Sequence, residues 1–170
     1  QFASSAASDV YKRQIESEVI FEMEEKLIKR NPCIGVCSTT YGDDICKGCK
    51  RFRHEVSSWT KYSDVEKNIV NRRLEKFKAL ILNDKFSIVD QQKFELSLKE
   101  KGIRHNKELD PICWIIDLLR TKTLTEIILS EFGLELKSAY QNYSLTQISD
   151  LVNKEFLDFS EAHYDRYIEL

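Results

Sequence analysis

The sequence predicts a mainly α protein, with a small cysteine-rich metal-binding loop module followed by a helical body. Three observations lead there. Cys33, Cys37, Cys46 and Cys49 crowd into one short segment, which also holds Gly35, Gly42 and Gly48. Ser63-Asp-Val-Glu66, Thr123-Leu-Thr-Glu126 and Ser144-Leu-Thr-Gln147 are capping-box signatures of helix starts. Apolar residues elsewhere recur at helical spacing. The alternative is an α+β protein with a short hairpin near residues 86–98. There Phe94, Leu96 and Leu98 alternate like a strand, while Phe94 and Leu98 also sit four apart as on a helix.

In chain order, residues 1–14 stand apart. The string SSAASDVYKRQ, residues 4–14, resembles the translation of a transposon-end sequencing adapter, so 1–14 are set aside as an adapter-derived artefact. Residues 15–30 read as a helix, because Ile15, Val19, Met23 and Leu27 recur every four positions. Asn31-Pro32 stops it, since a residue before proline avoids the α region. Residues 31–82 form the four-cysteine module plus a long helix. That helix opens at the Ser63 box, carries Val65, Ile69, Val70, Leu74, Phe77 and Ile81 on its apolar face, and ends near Asn83-Asp84. Residues 83–170 are a helical C-terminal region. Asp110-Pro111 is an N-cap followed by proline at the first helical position. The segment ICWIIDLLR after it is apolar nearly all round and so central. Gly133 caps the helix opened at Thr123, and the Ser144 helix turns Leu145, Ile148, Leu151, Val152 and Phe156 inward.

The formal charge of the chain is −2. A global nucleic-acid footprint is therefore missing. Lys47, Lys50, Arg51 and Arg53 nevertheless make the stretch 47–53 locally basic. No apolar run reaches membrane-spanning length, since ICWIIDLL is short and holds Asp117. Five cysteines are an odd count, and the split of four clustered and one apart fits a reducing, cytoplasmic setting better than a disulfide framework.

The cysteine spacing is C-x3-C, eight residues, then C-x2-C. Each pair closes a small loop that can aim two thiolates at one ion, and Gly35 and Gly48 let the backbone turn inside the loops. Four thiolates suit zinc or an iron–sulfur cluster. The spacing does not choose between them: the central gap is short for zinc fingers, and the common ferredoxin spacings differ. Cys46-x2-Cys49 as a redox dithiol would sit at a helix start after a strand, whereas TTYGDD before it is turn-like. Cys113, in the most apolar segment, reads as a buried inert thiol. Trp59 reads as core, covering the metal loop against the Ser63 helix. Glu55 and Arg51, four apart, read as a helix pair or a contact supporting the metal loop. His54 reads as exposed. His105, Glu108 and Asp110 read as a loop with a cap. There is no glycine-rich phosphate loop, no His-Glu-x-x-His and no nucleophile elbow, so no enzyme activity follows.

PCIGVC, ICKGCKR, Glu55, Trp59 and SDVEKNIVNRRL together resemble the bacterial domain-of-unknown-function family 1289, whose members are commonly labelled predicted Fe–S proteins. Pro32, the four cysteines, Asp44, Gly48, Arg51, Glu55, Trp59, Ser63, Asp64 and Glu66 follow the family pattern in order. Val56 stands where isoleucine is usual and Lys67 where arginine is expected. The resemblance covers about residues 31–77. It implies a metal site and brings no known reaction.

The resulting expectation is a metal-binding protein of unknown process, serving as a structural or interaction module for a protein partner and away from the membrane. Two alternatives stand beside it. One is an iron–sulfur electron-transfer or redox-sensing protein, and the other is a nucleic-acid-binding module that binds weakly through the basic face at 47–53.

Overall fold

A computed structural model describes residues 27–168. The expectations for residues 1–14 and for the helix over 15–26 lie outside the described residues. Residues 27–30, the end of that expected helix, are not helical. They run as an irregular segment tied to the long helix by side chains: Ile28 N–H donates to Asn68 Oδ1 (2.9 Å), and Asn71 Nδ2 donates to the carbonyls of Ile28 (2.7 Å) and Arg30 (3.1 Å). Ile28 is fully buried there.

The described chain is mainly α. The cysteine segment leads to α1 (Arg53–Ser58), then α2 (Asp64–Lys85), strand β1 (Phe86–Ile88) and α3 (Gln91–Glu100). After a 3-10 turn at Pro111–Trp114 come α4 (Ile115–Leu119), β2 (Leu134–Leu136) and α5 (Leu145–Tyr167). The Ser63 and Ser144 capping boxes both form, with each serine accepting the N3 amide and the N3 side chain returning to the serine amide. Asp110 caps Pro111–Trp114 through Ile112 N–H.

Three expectations change. The Thr123 box makes no side-chain cap; residues 124–132 break into two 3-10 turns, the second ending at Gly133 with φ 64°. Gly133 is held there because its carbonyl accepts Val89 and Asp90 N–H, and an added Cβ would stand 2.5 Å from the Asp90 carbonyl. Second, β1 does not form a hairpin within 86–98. It pairs antiparallel with β2, Ser87 opposite Glu135, while 91–100 is helical with Phe94 and Leu98 fully buried and Leu96 outside. Third, Val65 and Ile69 are exposed, so the buried stripe of α2 is Val70, Asn71, Leu74, Ile81, Leu82 and Lys85.

One continuous apolar cluster runs from Trp59 through α2, α3 and the 112–119 segment to Phe132, Leu134 and α5. It crosses the expected boundary at 82/83 without a gap. Lys85, fully buried, reaches Glu155 on α5 (2.6 Å) and Asp84 (3.2 Å), which joins the two long helices by charge as well as by apolar contact. Among the described residues no helix is long and apolar enough to cross a membrane.

Candidate metal centre

The second cysteine pair sits on a miniature hairpin. Ile45 and Phe52 form an antiparallel bridge, flanked by Cys46 N–H to the Arg51 carbonyl (2.8 Å) and Arg53 N–H to the Asp44 carbonyl (2.8 Å). The tip closes with Lys50 N–H to the Cys46 carbonyl (2.7 Å), and Lys50 takes φ 63°, a left-handed conformation that costs a non-glycine residue free energy. Cys46 and Cys49 are therefore on a turn and not at a helix start, because α1 begins only at Arg53.

Sulfurs in both cysteine loops receive N–H groups. Gly35 N–H lies 3.4 Å from Cys33 Sγ. Burial pushes the Cys46 thiol up, but the backbone N–H groups of Cys49, Ser38 and Gly48 and the Cys49 thiol outweigh it and bring the group down to about 7. At Cys49 burial prevails and its thiol is pushed up, against N–H donation from Arg51 backbone and side chain.

The first cysteine loop docks on the second through its backbone. Gly48 is buried, and a Cβ there would stand 2.6 Å from the Val36 carbonyl and 3.1 Å from the Ile34 side chain. Cys46 Sγ lies 3.6 Å from the same Val36 carbonyl, and Lys47 N–H donates to Ser38 Oγ (2.8 Å). The thiols of this loop do not follow. Cys33 is exposed, and Cys37 Sγ pairs with Thr39 Oγ1 at 3.0 Å. Cys46 and Cys49 are together; among the described residues no three Cys, His, Asp or Glu side chains gather closely enough to hold a metal ion. Cys113 lies apart in the apolar core, its Sγ against the Glu75 carbonyl (3.6 Å), and burial pushes its thiol up to about 12.

The basic stretch divides into two inward and two outward residues, which corrects the expectation of a face at 47–53. Lys50 and Arg51 are buried at 1% and 2% exposure. Lys50 Nζ donates to the carbonyls of Lys47 and Gly48 and reaches Asn153 Oδ1 on α5 at 2.6 Å, above the Phe156 ring. Burial lowers its ammonium to about 8, with repulsion from Arg120 adding to this and the two nearby cysteines opposing it. Arg51 donates from Nε to Cys49 Sγ (3.3 Å) and lies over the Trp59 ring at 4.7 Å, while its Nη1 is buried without a partner. Lys47 and Arg53 remain outside, and both are neutralised, by Asp43 (3.2 Å) and Asp44 (2.9 Å).

Glu55 does not pair with Arg51. Arg51 precedes α1, so the helical four-residue spacing does not apply to it. Glu55, buried, accepts Phe52 N–H (2.9 Å) and takes Arg73 of α2 in a two-point bond of 2.5 and 2.7 Å. Arg73 also lies 4.0 Å over the Phe52 ring. Trp59 is buried beneath Arg51, as the sequence implied, and His54 is exposed. Sequence reasoning missed Arg73 and Asn153 as parts of this centre. Nothing in the spacing of Arg73 or Asn153 points toward the cysteines.

Residues 31–78 match the sequence model of the family described as Protein of unknown function (DUF1289), the family and segment that the motifs resembled. No curated protein and no solved structure matches the chain.

Proposed function

We propose that this family segment carries a four-thiolate metal site whose role is structural, shaping a loop that serves as an interaction surface. Cys33, Cys37, Cys46 and Cys49 would be the ligands, binding either zinc or an iron–sulfur cluster. The observation that carries the reading is N–H donation to sulfur in both loops: Gly35 N–H lies 3.4 Å from Cys33 Sγ, and Arg51 Nε donates to Cys49 Sγ at 3.3 Å. Such donation favours the thiolate, the form a metal takes. Further support comes from Cys37. The residues on either side of it both meet the second loop, Val36 through its carbonyl 3.6 Å from Cys46 Sγ and Ser38 through its Oγ, which accepts Lys47 N–H. Buried Lys50 and Arg51 stand where two excess thiolate charges would need compensation.

Bound metal would supply cross-linking of the two loops and with it folding free energy. Placement of C-x2-C on a hairpin tip favours this over a redox dithiol. Ile34, Val36 and Tyr41 are exposed on the same segment, which supports a surface for a partner.

The test is metal analysis with a visible spectrum on full-length protein purified without air. Stoichiometric iron with visible absorption, or stoichiometric zinc without it, is the expected result, and Cys46→Ser should abolish either. Wild-type protein that retains neither metal overturns the proposal.

A further inference from the structure

A second polar site lies between the first cysteine loop and the helical body. It is a cavity of about 110 Å³ whose wall holds Arg30, Lys78, Arg104 and Arg120 against a single carboxylate, Asp117. Lys29, Lys47, Arg53, Arg73, Lys85, Lys107 and Lys154 each meet a carboxylate at 3.2 Å or less. The cations of this cavity do not. Among the described residues Lys78 and Arg104 have no carboxylate at ion-pair distance, Arg30 donates only to the His105 carbonyl (3.5 Å), and Arg120 meets Asp117 no closer than 3.9 Å. His105 lines the same cavity, and its Nε2 is buried without a partner. A protein of net charge −2 thus gathers four positive groups around one cleft with one carboxylate to answer them.

We propose that this cavity binds a small, doubly charged oxyanion of the phosphate type through Lys78, Arg104 and Arg120. Guanidinium groups pair oxyanion edges by two parallel hydrogen bonds, and a lysine adds a point charge. Burial, then repulsion from Arg120, depresses the Lys78 ammonium, a penalty that an anion between the two would relieve. The volume suits an inorganic ion or one phosphoryl group and is below that of a whole metabolite site. A wider cleft of about 580 Å³ shares Arg104, Asp117 and Arg120, so the organic part of a phosphomonoester has room beside it. Cys33 also lines the cavity, while Lys50 and Arg51 are the cations that face Cys46 and Cys49. This inference does not rest on the metal proposal.

The experiment is titration calorimetry on the full chain at constant ionic strength, with inorganic phosphate and glycerol phosphate as probes and acetate as the single-charge comparison. Metal content is measured in every sample, so that phosphate drawing out metal is not read as binding. Saturable binding of either phosphate probe is expected, and the tighter of the two identifies a free ion or a phosphomonoester. Lys78→Met and Arg104→Gln should each weaken it about tenfold or more, the range for hydrogen bonds to charged groups. Arg104 is exposed, so its substitution leaves the fold unaffected. No saturable binding of either probe, equal affinity for acetate, or affinity unchanged in both variants overturns the proposal.

Discussion

Gly48 and Gly35 are both glycines in cysteine loops, for different physical reasons. Gly35 takes φ 91° with open space around it, so a side chain there is opposed by the backbone alone. Gly48 has an ordinary backbone, but a Cβ would collide with the Val36 carbonyl of the other loop at 2.6 Å. Gly48→Ala should therefore push the two loops apart, at about 1–3 kcal/mol for an overpacked site. The expected outcome is a lower melting temperature with reduced metal retention. Unchanged metal content with unchanged stability would show that the loops do not rely on this contact. Legibility at this scale was uneven. The cysteines, Gly48 and Trp59 could be read because turns, thiolates and large aromatic rings have few uses. Lys50 and Arg51 could not, because a charge run in sequence does not show which members turn inward. Lys78 did leave a signal: with Asn71, Leu74, Ile81 and Lys85 it follows the three- and four-residue spacing of the α2 stripe that faces the core.

Helix starts were legible wherever the signal was local. Ser63–Glu66 and Ser144–Gln147 form their boxes because all the groups lie within one turn. Thr123–Glu126 has the same letters and fails, since residues 124–132 are drawn into 3-10 turns that pack on α3 and end against Asp90. The β1–β2 pair was illegible because its partners are far apart in sequence and only three residues long. The joint between α1 and α2 is likewise non-local. Glu55 and Arg73 are nearly buried, and each holds the other while Glu55 also caps α1. Removing one partner leaves a buried charge alone, so Glu55→Gln or Arg73→Met should each cost about 3–5 kcal/mol. The double substitution should cost less than the sum of the two. Urea unfolding of the four proteins measures this directly. Strict additivity would mean that the two residues contribute independently and that the joint is apolar.

The apolar core runs across the boundary expected between module and body. Trp59, next to the cysteine loops, and Trp114, in the central segment, belong to one apolar cluster. Phe52 of the hairpin packs edge-on against Tyr164 of α5 with ring centres 5.1 Å apart, and Lys50 meets Asn153 on that helix. The described chain should therefore unfold in one transition, with tryptophan fluorescence and helical circular dichroism changing together. Two separated midpoints would restore the two-part organisation. The Lys50–Asn153 bond also joins residues on either side of the limit of the family match, since 31–78 contains one partner and not the other. A left-handed backbone at position 50 suits glycine, and lysine bears that strain here while its ammonium has an acceptor on α5. The same ammonium donates to the Lys47 and Gly48 carbonyls of its own loop, so one side chain ties the loop both to itself and to α5. The strain at residue 50 is thus held in place from two parts of the chain at once, the cysteine loop and the C-terminal helix.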